Sequence, residues 1–178
     1  MAFLIKNSAR GSASGPSKQG LAVIDQRIQV TCPARTIPAT TTDQIFRVKG
    51  GRVLVRGLIG TVTTVIQTQA DNMKVSSKAL DNASAAIGTA VDVAANVDIT
   101  AREVGGMYFV EGDGTAGVLS NAGAAFVGAN TGEWIAPQGE IYLTTSATNT
   151  GAMKWDIFYT PLDPGAYVEA VTTATAAI

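Results

Sequence analysis

Few residues in this chain have the chemistry for catalysis: there is one cysteine, Cys32, and no histidine among its 178 residues. Without histidine the usual general base near neutral pH, the commonest metal ligand and the Ser–His and Cys–His nucleophile pairs are all missing. One cysteine supports neither an internal disulfide nor a zinc site, so Cys32 reads as a small core filler. Glu103, Glu111, Asp113, Glu133 and Glu140 could supply a glycosidase-type carboxylate pair, yet nothing in their spacing sets two of them apart. Glu111, Asp113 and Asp163 lie in loop-like surroundings where oxygen ligands could gather calcium. The dense Asp/Asn/Gly loop of a dedicated calcium site is absent, and solvated turn carboxylates are the plainer reading. Neither a GxxxxGK[ST] phosphate loop nor a GxGxxG fingerprint opening a helix occurs, and Gly112-Asp113-Gly114 lacks that context. The sequence predicts a protein with no catalytic residues, no metal and no cofactor, and hence not an enzyme.

What remains is the chemistry of contact. Trp134, Tyr108, Phe109, Tyr142 and Tyr159 could stack on sugars or bases, although aromatics spaced by two in strands usually belong to a core. Trp134, between Glu133 and Ile135 and just before Pro137, is the candidate exposed recognition residue. Only 15% of residues are charged, against roughly 25% in ordinary soluble domains, and the formal net charge is −1. Thirteen basic and fourteen acidic residues leave no surplus to neutralise phosphates or to steer the chain to an anionic membrane. Nucleic acid and membrane are therefore not expected partners. A largely neutral surface is poorly protected against association and reads as surface that meets other protein subunits.

The elements that must carry these residues are strands. Leu21 to Thr31 alternates with a two-residue period and is expected to end at Cys32-Pro33; Pro33 to Asp43 is an extended connection. Gln44 to Lys49, a tight turn at Gly50-Gly51, and the Val/Ile/Leu/Thr-rich run Arg52 to Gln69 form the expected sheet core. Gly57 and Gly60 mark bends or bulges, predicting a strand that passes between sheets. Asn72 to Leu80, Ala86 to Val93 and Val97 to Ile99 read as short strands, Asp81 to Ala85 as a loop, with Ala90 to Ala95 weakly helical. Gly105 to Gly114 reads as an aromatic strand and a turn, and Ala116 to Gly132 as a broad Gly/Ala/Asn-rich loop. Glu140 to Thr145 and Ala152 to Thr160 alternate strongly and are expected to form a hairpin. Many short strands without a sustained helical period predict an all-β fold, an antiparallel β-sandwich or jelly-roll-like barrel.

Three regions follow: a flexible extended N-terminal arm over 1–19, one β-rich domain over 20–170, and a Thr/Ala-rich C-terminal tail over 171–178. Asn7 to Gln19 is too rich in Ser, Gly, Ala and Pro to offset its backbone entropy by burial. Ahead of it Phe3, Leu4 and Ile5, followed by Lys6, form an apolar tip on a tether. The tip either folds back as an edge strand or docks on a neighbour, and the second fits a sticky end better. The opening apolar run is too short for a signal-peptide core and no stretch reaches the length of a membrane helix, so synthesis in a cytoplasm is expected.

The segments Gly50-Gly51-Arg52-Val53-Leu54-Val55, Gly57-Leu58-Ile59-Gly60, Val62-Thr63-Thr64 and Ile66-Gln67 resemble small structural proteins of tailed bacteriophages. So do Gly151, Lys154-Trp155-Asp156-Ile157, Tyr159, Pro161-Leu162-Asp163 and the closing Gly165-Ala166-Tyr167-Val168. The resemblance spans about Gln44 to Ala170 and rests on strand and turn residues. It implies a virion protein, and in size, β content and N-terminal arm the head-decoration (cement) class is the nearest match. That class implies a homotrimer on the capsid surface, made in the host bacterial cytoplasm, with the major capsid protein as partner and Phe3, Leu4, Ile5 and Lys6 as the contacting arm. A tail or baseplate component is the alternative within virions. A carbohydrate-binding β-sandwich adhesin, relying on Trp134 and the Gly/Ala-rich loop, is the alternative outside them.

Overall fold

The structure is a computed structural model that describes residues 27–38, 42–110, 112, 119–121, 132–175 and 177. Every element among these residues is a strand: β1 Ile28–Thr36, β2 Thr42–Lys49, β3 Val53–Thr64, β4 Asn72–Ala79, β5 Val91–Asp98 and β6 Met107–Val110. Then follow β7 Leu119–Asn121, β8 Trp134–Ala136, β9 Gly139–Thr145, β10 Ala152–Pro161 and β11 Tyr167–Ala170. One sheet runs β1-β10-β3-β6-β7, with β8 pairing β3 beyond the end of β6; the other runs β11-β2-β9-β4-β5, and all pairs are antiparallel. The fold is thus the expected all-β sandwich; among the described residues the two sheets stay separate and close into no barrel.

The alternation read from sequence sets the core. Met153, Trp155, Ile157 and Tyr159 on β10 face Ile141 and Leu143 on β9, and Val55, Leu58, Val62, Phe46 and Val75 complete the buried layer. Burying a side chain of this kind contributes roughly 1.5–3 kcal/mol, so the interior supplies the main folding term. The Tyr159 hydroxyl bridges the sheets by accepting a hydrogen bond from the Val168 amide, at 3.2 Å.

Five local expectations are corrected. Pro33 does not end the first strand: β1 continues to Thr36 across a bulge between Cys32 and Arg35, which an edge strand tolerates because a missing amide there breaks no central ladder. β3 does not cross between sheets, and Gly60 serves packing instead, since a Cβ there would lie 2.7 Å from the Trp155 ring. Ala90 to Ala95 is not helical, and the two short strands expected between Ala86 and Ile99 are one strand, β5, paired with β4. β9 and β10 are not a hairpin: they belong to opposite sheets, joined by an arch. Asp71 holds that arch, its Oδ1 accepting from the Ser146 and Ala147 amides at 3.0 Å each and from the Ser146 hydroxyl at 3.2 Å.

The sheets stack with β1 over β11, where the Cys32 thiol meets the Val171 carbonyl at 3.4 Å. Beyond β11 the chain stays tied to β2, because the Val171 amide donates to Ile45 and the Gln44 amide to Thr175. Residues 171–175 thus extend the edge of the domain, and Arg35 clamps them by donating to Thr173 while pairing with Asp43 at 3.0 Å.

Candidate docking groove

The carboxylates named as possible chemistry are not brought together. Glu133 pairs with Arg56, Asp163 takes a bidentate Arg52, and Glu140 is buried on β9 in register with Arg47 and Lys78. Glu103 lies exposed in the turn before β6, and Glu111 and Asp113 fall outside the described residues. Among the described residues no three His, Cys, Asp or Glu side chains cluster as a metal site would require. Asp163 is held by Arg52: hydrogen bonds from the guanidinium, then from the Arg52 amide, push its carboxyl pKa down to about 2.

Aromatic residues go inward. Tyr108, Phe109, Tyr142 and Tyr159 are all buried, as their strand spacing suggested. Trp134 is buried as well, at 8% exposure, which corrects its expected role as an exposed recognition residue: its ring offers no open face on which a sugar could stack. Gly112 explains the burial. With φ of 80° and no side chain, its backbone lies so close to the indole that a Cβ would fall 2.2 Å from Trp134 Cδ1.

Among the described residues the sandwich edge around this tryptophan is open. A groove of about 650 Å³ runs between the β4–β5 margin of one sheet and β8 of the other. Ala79, Val91 and Val93 line one wall and Trp134, Ile135 and Pro137 the other. Three of its residues are large apolar side chains left in water: Ile87 is 59% exposed, Val91 65% and Ile135 58%. They arise from the strand geometry. β8 is only three residues long, so it shields little of the edge, and β5 presents an outer margin that no strand among the described residues pairs. The Trp134 Nε1–H is buried and has no hydrogen-bond partner among the described residues. Asp92 is the one charged residue of the described lining; its carboxyl lies below the usual range, chiefly through a hydrogen bond from the Ser76 hydroxyl at 2.6 Å.

The sequence singles out Trp134 but not the groove around it, because Ile87 and Val91 fall in a run, Ala86 to Val93, that reads only as a short strand. Their exposure comes from the edge position of β5, which alternation alone does not reveal. Phe3, Leu4, Ile5 and Lys6 lie outside the described residues. A smaller polar depression near Arg47, Lys49 and Asn82 is bordered by the loop that Asp81 ties to the Ala83 and Ala85 amides.

No protein-family model matches the chain, and no curated protein matches it either. Among solved structures it is similar to a structure of infectious bursal disease virus, Gx strain, at 11% identity and a TM-score of 0.22. That overlap covers 80% of this chain and 35% of the other, so the chain spans about a third of that protein's length. An overlap this loose bears on neither fold nor function.

Proposed function

We propose that this protein is a non-catalytic structural component of a bacteriophage virion, a decoration protein that stabilises the head by binding the lattice of the major capsid protein. The observation that carries an assembly role is the open apolar edge, where Ile87, Val91 and Ile135 stand in water beside a groove. Apolar surface of this kind on a neutral, sparsely charged protein is covered by other protein. The decoration reading within that class follows from the sequence resemblance, which also implies Phe3, Leu4, Ile5 and Lys6 as an arm that contacts the shell.

The mechanism is mass action. A protein that binds the expanded shell better than the unexpanded one stabilises the expanded state at each site without making or breaking a covalent bond. Homotrimers on the capsid surface would cover neutral faces against one another by closed symmetry. Copy number tests this reading: quantitative mass spectrometry of purified particles carrying the protein should find it at a level comparable to the major capsid protein. A few copies per particle would overturn it in favour of a tail or baseplate role.

A further inference from the structure

We infer that the groove between β5 and β8 is the receptor for the Phe3-Leu4-Ile5 tip of a second copy of this chain, so that copies are linked head to tail by exchanged arms. The inference gives the arm a second copy as its partner in place of the capsid protein, so its failure leaves the virion reading, which copy number and capsid binding test, untouched.

Placement within the sandwich carries it. In the first sheet Ile28 pairs with Tyr159, Tyr159 with Val55, and Val55 with Trp134, so the start of β1 and the groove lie at the same level of the molecule. They lie at opposite edges: β1 is terminal on one side, over β11, while β8 and β5 bound the other. β1 therefore starts at the margin farthest from the groove. A copy placed alongside in the same orientation would bring its groove towards that margin. Donor on one edge and acceptor on the other is a heterologous contact, which closes into a ring when the rotation permits. Twenty-one residues separate the tip from Arg27 and span up to about 70 Å when extended, against a radius of gyration of roughly 16 Å for a domain this size. Reaching an adjacent molecule is well within that length.

The chemistry matches. Three consecutive apolar residues fit an apolar groove, and an extended main chain beside β5 could complete its unpaired margin by strand addition.

The test uses full-length chains. A Leu4→Cys chain and an Ile135→Cys chain are refolded together and oxidised, and peptide masses are read for a linkage between positions 4 and 135. Because each chain carries only one of the two substitutions, such a linkage joins two molecules; buried Cys32 is left in place. The expected result is that this linkage dominates and that sedimentation of the unsubstituted protein gives an oligomer. Ile135→Asp and Ile87→Asp, both at exposed positions, should reduce that oligomer to monomer with the β-sheet circular dichroism retained. A third chain carrying both Leu4→Cys and Ile135→Cys serves as the control: a 4–135 linkage that forms within it but not between the singly substituted chains would mean that the arm folds back on its own molecule, and would overturn the proposal. So would the absence of the linkage, or an oligomer unchanged by both Asp variants.

Discussion

Asp163 and Arg52 show what single residues contribute here. The Asp163 carboxyl is pushed down to about 2, so the folded state binds its proton less readily than the unfolded chain, whose carboxylates titrate near 4. This pair's contribution to stability is therefore present above about pH 4 and is lost as pH falls from there towards 2. Asp163→Asn should flatten that part of the profile, measured as the slope of Tm against pH over the same window in both proteins. Cys32 makes a second residue-scale prediction. Burial pushes its thiol up, and the Sγ faces the Val171 carbonyl. A thiol reagent should modify native protein very slowly and label it stoichiometrically once denaturant unfolds it; rapid labelling of native protein would show that the β1–β11 edge opens. Gly60 tests packing. Gly60→Ala drives a Cβ into Trp155 and Met153 and should cost about 1–3 kcal/mol by denaturant titration. Which residues are buried was largely legible from alternation, as Trp155 and Tyr159 show. Trp134 was not, because its burial depends on Gly112 lying against the ring, a contact between segments far apart in sequence.

At the scale of elements, the connection between β9 and β10 decides the architecture. A six-residue link between two alternating strands reads from sequence as a hairpin, yet here it arches from one sheet to the other. Local pattern fixes which face of each strand is buried but not which sheet the strand joins, and that choice is made by Asp71, about 75 residues upstream, through its hydrogen bonds to Ser146 and Ala147. Asp71→Ala leaves those donors without their acceptor and should destabilise the fold by roughly 2–4 kcal/mol. Asp71→Asn keeps an oxygen at the same place and should cost less. A chemical-denaturation comparison of the two variants checks both the size and the order. The same limit of local pattern accounts for β1 running through Pro33: its edge position, unknown from sequence, is what makes the proline and its bulge tolerable.

At the scale of the whole molecule, the sandwich has one margin closed and one open. On the β1–β11 side residues 171–175 are tied down by Arg35, Asp43 and backbone bonds, whereas the β5–β8 side leaves apolar side chains in water. That asymmetry was invisible in the sequence, where low charge and abundant neutral residues predict only a surface that meets other protein. Contacts of this kind depend weakly on ionic strength, since screening acts on charges and sulfate strengthens apolar burial. Self-association should accordingly survive, or tighten, between low and high salt when followed by sedimentation; dissociation by moderate salt would point to an electrostatic interface instead.

The decoration role is tested most directly by mixing the purified full-length protein with undecorated capsids, expanded and unexpanded, and measuring the bound copies by co-sedimentation. Saturable binding to expanded shells, with little to unexpanded ones, is the predicted result. No binding to either shell would contradict it.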